Sequence, residues 1–162
     1  MHSITIFLAR YLVFLMPLLP LYLLLKMKRP LQIRLVVQAI LATALAFALA
    51  KLTTHLISSP RPFISDGVTP FFMSARDNGF PSDHTLLAGL VAFTTLLYSR
   101  RFGYVAVVLA IMVGTARVVA GVHHAIDIAG GLLLSGLSVL LVNLAAQRYY
   151  GRRAKPTTTS DD

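Results

Sequence analysis

Five long apolar runs divide the chain, at roughly residues 4–25, 35–57, 83–99, 102–120 and 124–147. Each is about 17–24 residues long, near the roughly 20 that an α-helix needs to cross the hydrocarbon core of a bilayer. The pattern predicts an all-α, polytopic membrane helix bundle of about five transmembrane helices. The first run carries Arg10, Pro17 and Pro20. A kink is expected there, with Arg10 either snorkelling to an interface or facing the bundle. That run is too long for a signal-peptide core and lacks a clear small-residue cleavage site, so it reads as a retained span.

The polar intervals set the topology. Lys26, Lys28, Arg29 and Arg34 separate the first two runs, Arg100 and Arg101 separate the third and fourth, and Arg148, Arg152, Arg153 and Lys155 follow the fifth. Five spans put these three segments on one side, which the positive-inside rule makes cytoplasmic. The N-terminus and loops 58–82 and 121–123 then face outward. Residues 1–147 read as one transmembrane domain and 148–162 as a basic cytoplasmic tail. Loop 58–82 is the one long connection, and long loops of this kind often carry function. Its Phe71, Phe72 and Met73 are expected at the membrane surface.

Composition sharpens this picture. Hydrophobic residues make up 56% of the chain and charged residues 13%, against roughly 25% charged in soluble domains. The formal net charge is +9, with six aspartates as the whole acidic complement. In a soluble protein that balance would suggest nucleic acid. Here the cations lie between apolar runs, and their expected partners are the bilayer and a membrane lipid, not nucleic acid. With no cysteine, disulfides and thiolate metal sites are excluded.

The candidate chemistry gathers at the outward ends of the spans. Residues 79–85 read Gly-Phe-Pro-Ser-Asp-His-Thr and place Ser82 and His84 where the third apolar run begins. Free N–H groups and a partial positive charge suit a helix N-terminus to an anion, and Ser82 is a natural N-cap. Lys51 and Arg61 lie at the outer end of span two, Arg117 ends span four, and His123 and Asp127 open span five. Span parity brings all of these to one membrane face. Each has a plain structural reading taken alone: a snorkelling Lys51, a capping Ser82, a loop Arg61, a helix-start His84. Together they read as one phosphate pocket, since ionisable residues in spans are functional candidates.

His123 and Asp127 are four residues apart and share a helix face. A carboxylate beside an imidazole fixes its tautomer, as a histidine base or nucleophile requires. A metal site built from His84, His123, His124 and Asp127 is the competing reading. Arg61, Arg117 and Lys51 would repel a dication and suit a phosphate oxyanion. The expected cofactor and metal complement is therefore none.

Pro81-Ser82-Asp83-His84, Arg61-Pro62-Phe63 and Arg117-x5-His123-x3-Asp127 resemble the three signature motifs of the type-2 phosphatidic acid phosphatase superfamily, over roughly residues 45–140. That resemblance implies a metal-independent phosphatase. In it His123 attacks phosphorus, Asp127 orients His123, and His84 protonates the leaving oxygen. Arg61, Arg117, Lys51 and Ser82 hold the phosphoryl oxygens. The sequence departs from the motif pattern at three places: Thr54 stands where the lysine is usual, with Lys51 three residues earlier. Asp83 stands in place of a glycine, and Ala116 in place of a serine.

The Phe-Pro-Ser-Asp-His-Thr form and compact length look most like the bacterial undecaprenyl-diphosphate phosphatases. The resemblance implies a polyprenyl diphosphate substrate and a bacterial inner-membrane location, with the site facing the periplasm. Other lipid phosphates (phosphatidylglycerophosphate, phosphatidate, lipid A), a phosphotransferase and a non-catalytic lipid-binding protein remain as alternatives.

Overall fold

In a computed structural model the described residues are 2–153. They form eight helices: α1 (His2–Arg10), α2 (Leu12–Leu15), α3 (Leu18–Lys26), α4 (Arg29–Leu56), α5 (Pro62–Ser65), α6 (Asp83–Tyr98), α7 (Arg100–Val119) and α8 (Ala125–Arg153). The β-structure among them is one isolated bridge, Pro60 to Asn78. The chain is thus a multi-pass membrane bundle.

Helices α4, α7 and α8 are each long and apolar enough to cross a membrane. The first apolar run, where a kink is expected, is broken and bent. It breaks at Tyr11 and again at Met16–Pro17, and the segment before Tyr11 is bent 49° from the segment after it. Proline removes a helical hydrogen bond and crowds the preceding turn, which accounts for the second break. Helix α6, with 16 residues, is shorter than α4, α7 and α8. At 1.5 Å per residue it is about 24 Å long.

α6 is central. It packs on α7, α8 and α4, and also meets α2 and α3. Its faces are built from small residues so that neighbours approach closely. Ala88 and Ala92 meet Ala106, Ala110 and Val113 of α7, together with Val13 and Met16. On the other side Leu86 and Leu90 meet Ala42, Ala46 and Ala50 of α4 and Val139 of α8. In lipid, where no hydrophobic force drives helices together, such close packing is the main source of association. Ala92 is fully buried. Ala92→Leu would overpack this seam at a cost of roughly 1–3 kcal/mol.

The outward faces carry the remaining apolar side chains, among them Ile40, Val108, Leu133 and Leu140, all more than half exposed. That suits lipid contact. Phe71 and Phe72 do not lie free on the surface. They pack on the cluster of Ala9, Ala116, Ala120 and Val122, while Met73 remains exposed. Arg10 is exposed, and its guanidinium lies 5.1 Å from the Phe72 ring centroid. α8 continues past Gln147 to Arg153, so the start of the expected tail is helical. The readings made for 154–162 lie outside the described residues.

Candidate active site

Loop 57–82 is held rigid by its own polar groups. Asn78 donates to the carbonyls of Thr54 (2.8 Å) and Ile57 (2.7 Å) and accepts from the N–H of Ser59 (2.9 Å). The Gly79 N–H bonds to Ser59 O at 2.8 Å. One asparagine thus satisfies the end of α4 and ties the returning segment of the loop to it. Gly79 is required here by space. A Cβ would lie 2.9 Å from Asp127 Oδ2 and 3.0 Å from Ser59 O. On the other side of the site, Gly121 turns the chain after α7 with φ +72°, a conformation that glycine adopts without steric cost.

These segments converge on His123, which is 3% exposed. Its Nε2 lies 3.1 Å from Arg61 Nη1 and 3.1 Å from Arg117 Nη2. Guanidinium nitrogens only donate, so Nε2 is the acceptor and carries the lone pair. The proton is then on Nδ1, which faces Asp127 Oδ2 at 3.2 Å. Burial holds the His123 pKa below its ordinary 6.5, and the two guanidiniums push the same way. The Asp127 bond opposes them. The site therefore holds a neutral imidazole with its lone pair aimed at two cations.

Asp127 is fully buried and fully paired. Oδ2 also accepts from the N–H of His124 at 2.9 Å, and Oδ1 accepts from the Ser59 hydroxyl at 2.8 Å. Buried charge persists only with such partners. Its main-chain carbonyl accepts from the Ser82 N–H at 3.1 Å, tying the start of α8 to the start of α6.

Both arginines are anchored from behind. Arg61 Nη1 donates to Val122 O at 3.0 Å, while its Nε and Nη2 each lie 2.8 Å from Asp77 Oδ1. Arg117 Nη1 donates to Ala9 O at 3.0 Å. Ala9 is in the last turn of α1, where carbonyls lack intrahelical partners. The break after α1 thus leaves a carbonyl that positions an arginine of the site.

In front of these groups is a cavity of about 360 Å³, lined by Thr54, Arg61, Asp77, His84, Arg117 and His123 among others. His84 is half-buried there, edge-on to Phe14 with ring centroids 6.2 Å apart. So the structure brings together His123, Asp127, His84, Arg61 and Arg117, drawn from four separate segments.

Two expected residues are placed otherwise. Lys51 is exposed on α4 and does not line the cavity. The α4 residue that does is Thr54, whose hydroxyl donates to Ala50 O and Phe80 O at 2.9 Å each. Lys51 lies three residues, about 4.5 Å along the helix axis, farther from the loop, and its side chain is exposed. Ser82 stands at the N-cap of α6 but makes no side-chain capping bond. It is fully buried, and its hydroxyl accepts from Thr85 at 3.2 Å. Its contribution is the backbone tie to Asp127.

Ser59, Asp77 and Asn78 were not among the residues singled out from the sequence. A serine, an aspartate and an asparagine in a polar loop carry no signal of their own until the fold shows what they hold. His124 pairs with Asp66 at 3.1 Å on the exposed side. Among the described residues no group of three or more His, Cys, Asp or Glu side chains is placed to hold a metal ion.

The chain is similar in sequence to proteins named as a bacitracin transport permease and as undecaprenyl-diphosphatases. The Bacitracin transport permease protein BcrC of Bacillus licheniformis is 38% identical over 108 residues, covering 66% of this chain and 53% of that protein. The putative undecaprenyl-diphosphatase YbjG of Escherichia coli is 32% identical over 148 residues, covering 91% of this chain and 74% of that protein. The alignment with the BcrC protein spans about half of that relative's length. In fold, the crystal structure of Aquifex aeolicus LpxE matches with a TM-score of 0.71 at 24% identity, covering 88% of this chain and 86% of that one. The PAP2 superfamily model matches residues 35–150, which contain the His123 site apart from the Ala9 carbonyl and Phe14, and the chain belongs to the PAP2 superfamily.

Proposed function

We propose that this protein is an integral-membrane lipid phosphatase that hydrolyses undecaprenyl diphosphate to undecaprenyl phosphate and inorganic phosphate. One observation carries the reading: the unprotonated Nε2 of His123 faces two guanidiniums, with Asp127 paired to the opposite nitrogen. This is the layout of a nucleophile surrounded by donors for a phosphoryl group.

A terminal phosphate enters the cavity and its oxygens take up the Nη groups of Arg61 and Arg117. That frees the Nε2 lone pair, which attacks phosphorus as the bridging P–O bond breaks. His84 delivers a proton to the leaving oxygen of the lipid monophosphate. Asp127 stabilises the positive charge that builds on His123. Water then attacks the phosphohistidine, with His84 accepting its proton, and inorganic phosphate leaves.

The cavity lies at the loop-bearing end of the bundle, opposite the basic segments. By the positive-inside rule it faces the exterior of a bacterial cytoplasmic membrane. A polyprenyl tail stays in lipid while the headgroup reaches the site. The choice of undecaprenyl diphosphate is supported by the name of the Escherichia coli relative, a putative undecaprenyl-diphosphatase.

The deciding experiment is phosphate release by purified wild type and His123→Ala, with EDTA present, on undecaprenyl diphosphate, phosphatidylglycerophosphate and phosphatidate. Release that is preferential for the diphosphate and lost in the variant supports the proposal. Preference for another lipid reassigns the substrate. Release that survives His123→Ala overturns the mechanism.

A further inference from the structure

The end of the bundle remote from His123 holds a second cavity, of about 290 Å³, between α4 and α8. Its walls are mainly apolar, with Val142 and Ala146 on α8 facing α4. Its polar lining includes Arg34 and Gln38. Gln38 is already engaged: its amide donates to Asn143 at 3.3 Å and its oxygen accepts from the Tyr98 hydroxyl. Arg34 is not. Its guanidinium lies 5.3 Å from the Tyr150 ring centroid, and its Nε is buried with no hydrogen-bond partner. A buried N–H without an acceptor is costly and calls for one.

No carboxylate among the described residues is at this end. Asp77 and Asp83 line the His123 cavity, Asp127 pairs with His123, and Asp66 pairs with His124. None of these carboxylates is placed to pair with Arg34. The surroundings are basic, with Lys28 and Arg29 at the start of α4 and Arg148 in the last turns of α8.

We propose that this cavity is a binding site for one anionic phospholipid, distinct from the substrate site. A phosphate oxygen of the headgroup accepts from Arg34, and an acyl chain lies along the apolar wall of Val142 and Ala146. Basic pockets between transmembrane helices recognise anionic headgroups in this way. A zwitterionic lipid fits less well, because its ammonium would meet Arg34 with no carboxylate to receive it. A free phosphate would leave the apolar wall uncovered.

The test uses the purified full chain in mild detergent. Native mass spectrometry and thermal unfolding are run with phosphatidylglycerol, phosphatidylcholine or inorganic phosphate added. Phosphatidylglycerol has no terminal phosphate to hydrolyse, so the outcome is independent of the substrate reading. We expect one phosphatidylglycerol retained per chain and a raised Tm, with little effect of the other two. Arg34→Gln should weaken retention roughly fivefold or more. Ala146→Phe, which fills the cavity and keeps the arginine, should also abolish retention, and Arg101→Gln should not change it. Equal retention of phosphatidylcholine overturns the proposal. So does a folded Arg34→Gln that binds as wild type, stabilisation by inorganic phosphate alone, or a lipid-free dimer whose Tm ignores phosphatidylglycerol.

Discussion

The Ser59 hydroxyl donates to Asp127 Oδ1 at 2.8 Å, joining positions 68 residues apart. Asp127 in turn holds the Nδ1 side of His123. Ser59 therefore acts on the imidazole through the carboxylate and is a positioning residue. Ser59→Ala should lower kcat roughly 10- to 100-fold, the value of one hydrogen bond to a buried charge. KM should change little, because Ser59 does not line the cavity in front of His123. Steady-state kinetics on both variants of the pair, Ser59→Ala and Ser59→Thr, would check this, with threonine restoring part of the rate.

Asp77 clamps the edge of Arg61 that faces away from His123. Its side chain is 61% exposed and that of Arg61 only 10%. Asp77→Asn keeps the shape and removes the charge. The guanidinium then loses its fixed orientation, and KM should rise more than kcat falls. An unchanged KM would show that Val122 O alone suffices to hold Arg61.

Burial and two guanidiniums hold His123 below its ordinary pKa of 6.5. The folded protein then binds fewer protons at this residue than the unfolded chain. Its contribution to stability is present above pH 6.5 and is lost as pH falls through the lowered folded value. With His123 as the proposed nucleophile, which must be neutral to attack, activity is expected to follow the same sign. The acidic limb of kcat/KM should lie below pH 6.5, and in Asp127→Asn it should move lower still, because the Asp127 bond is what raises the pKa. A limb above 6.5 in wild type would contradict this.

Lys51 is exposed and off the cavity. Lys51→Ala should leave kcat and KM within about twofold of wild type, as for surface substitutions away from packed or paired groups. A loss above tenfold would mean that this lysine reaches the headgroup when substrate is bound.

Gly79 has no room for a side chain between Asp127 Oδ2 and Ser59 O. Gly79→Ala must displace a buried carboxylate or the loop backbone. It should lower activity about as far as Ser59→Ala and reduce Tm by several degrees, a destabilisation of roughly 1–3 kcal/mol. Parallel measurement of phosphate release and Tm separates the two effects.

How much of this was legible in the chain depends on the range of each signal. The apolar runs, the basic intervals and the order His84, Arg117, His123, Asp127 determined a membrane bundle with its chemistry at one end. Hydropathy acts residue by residue, span parity is arithmetic, and an i, i+4 pair on a helix meets without help from the rest of the fold. Tertiary structure alone decided which groups stand behind that chemistry. The break after α1 leaves the Ala9 carbonyl for Arg117, and loop 57–82 folds back so that Ser59 and Asp77 reach Asp127 and Arg61. It also set aside Lys51 in favour of Thr54, which one turn of α4 separates. A hydrogen bond needs its partners within about 3 Å and aligned, and no sequence pattern fixes that distance between segments that meet only after the helices have packed.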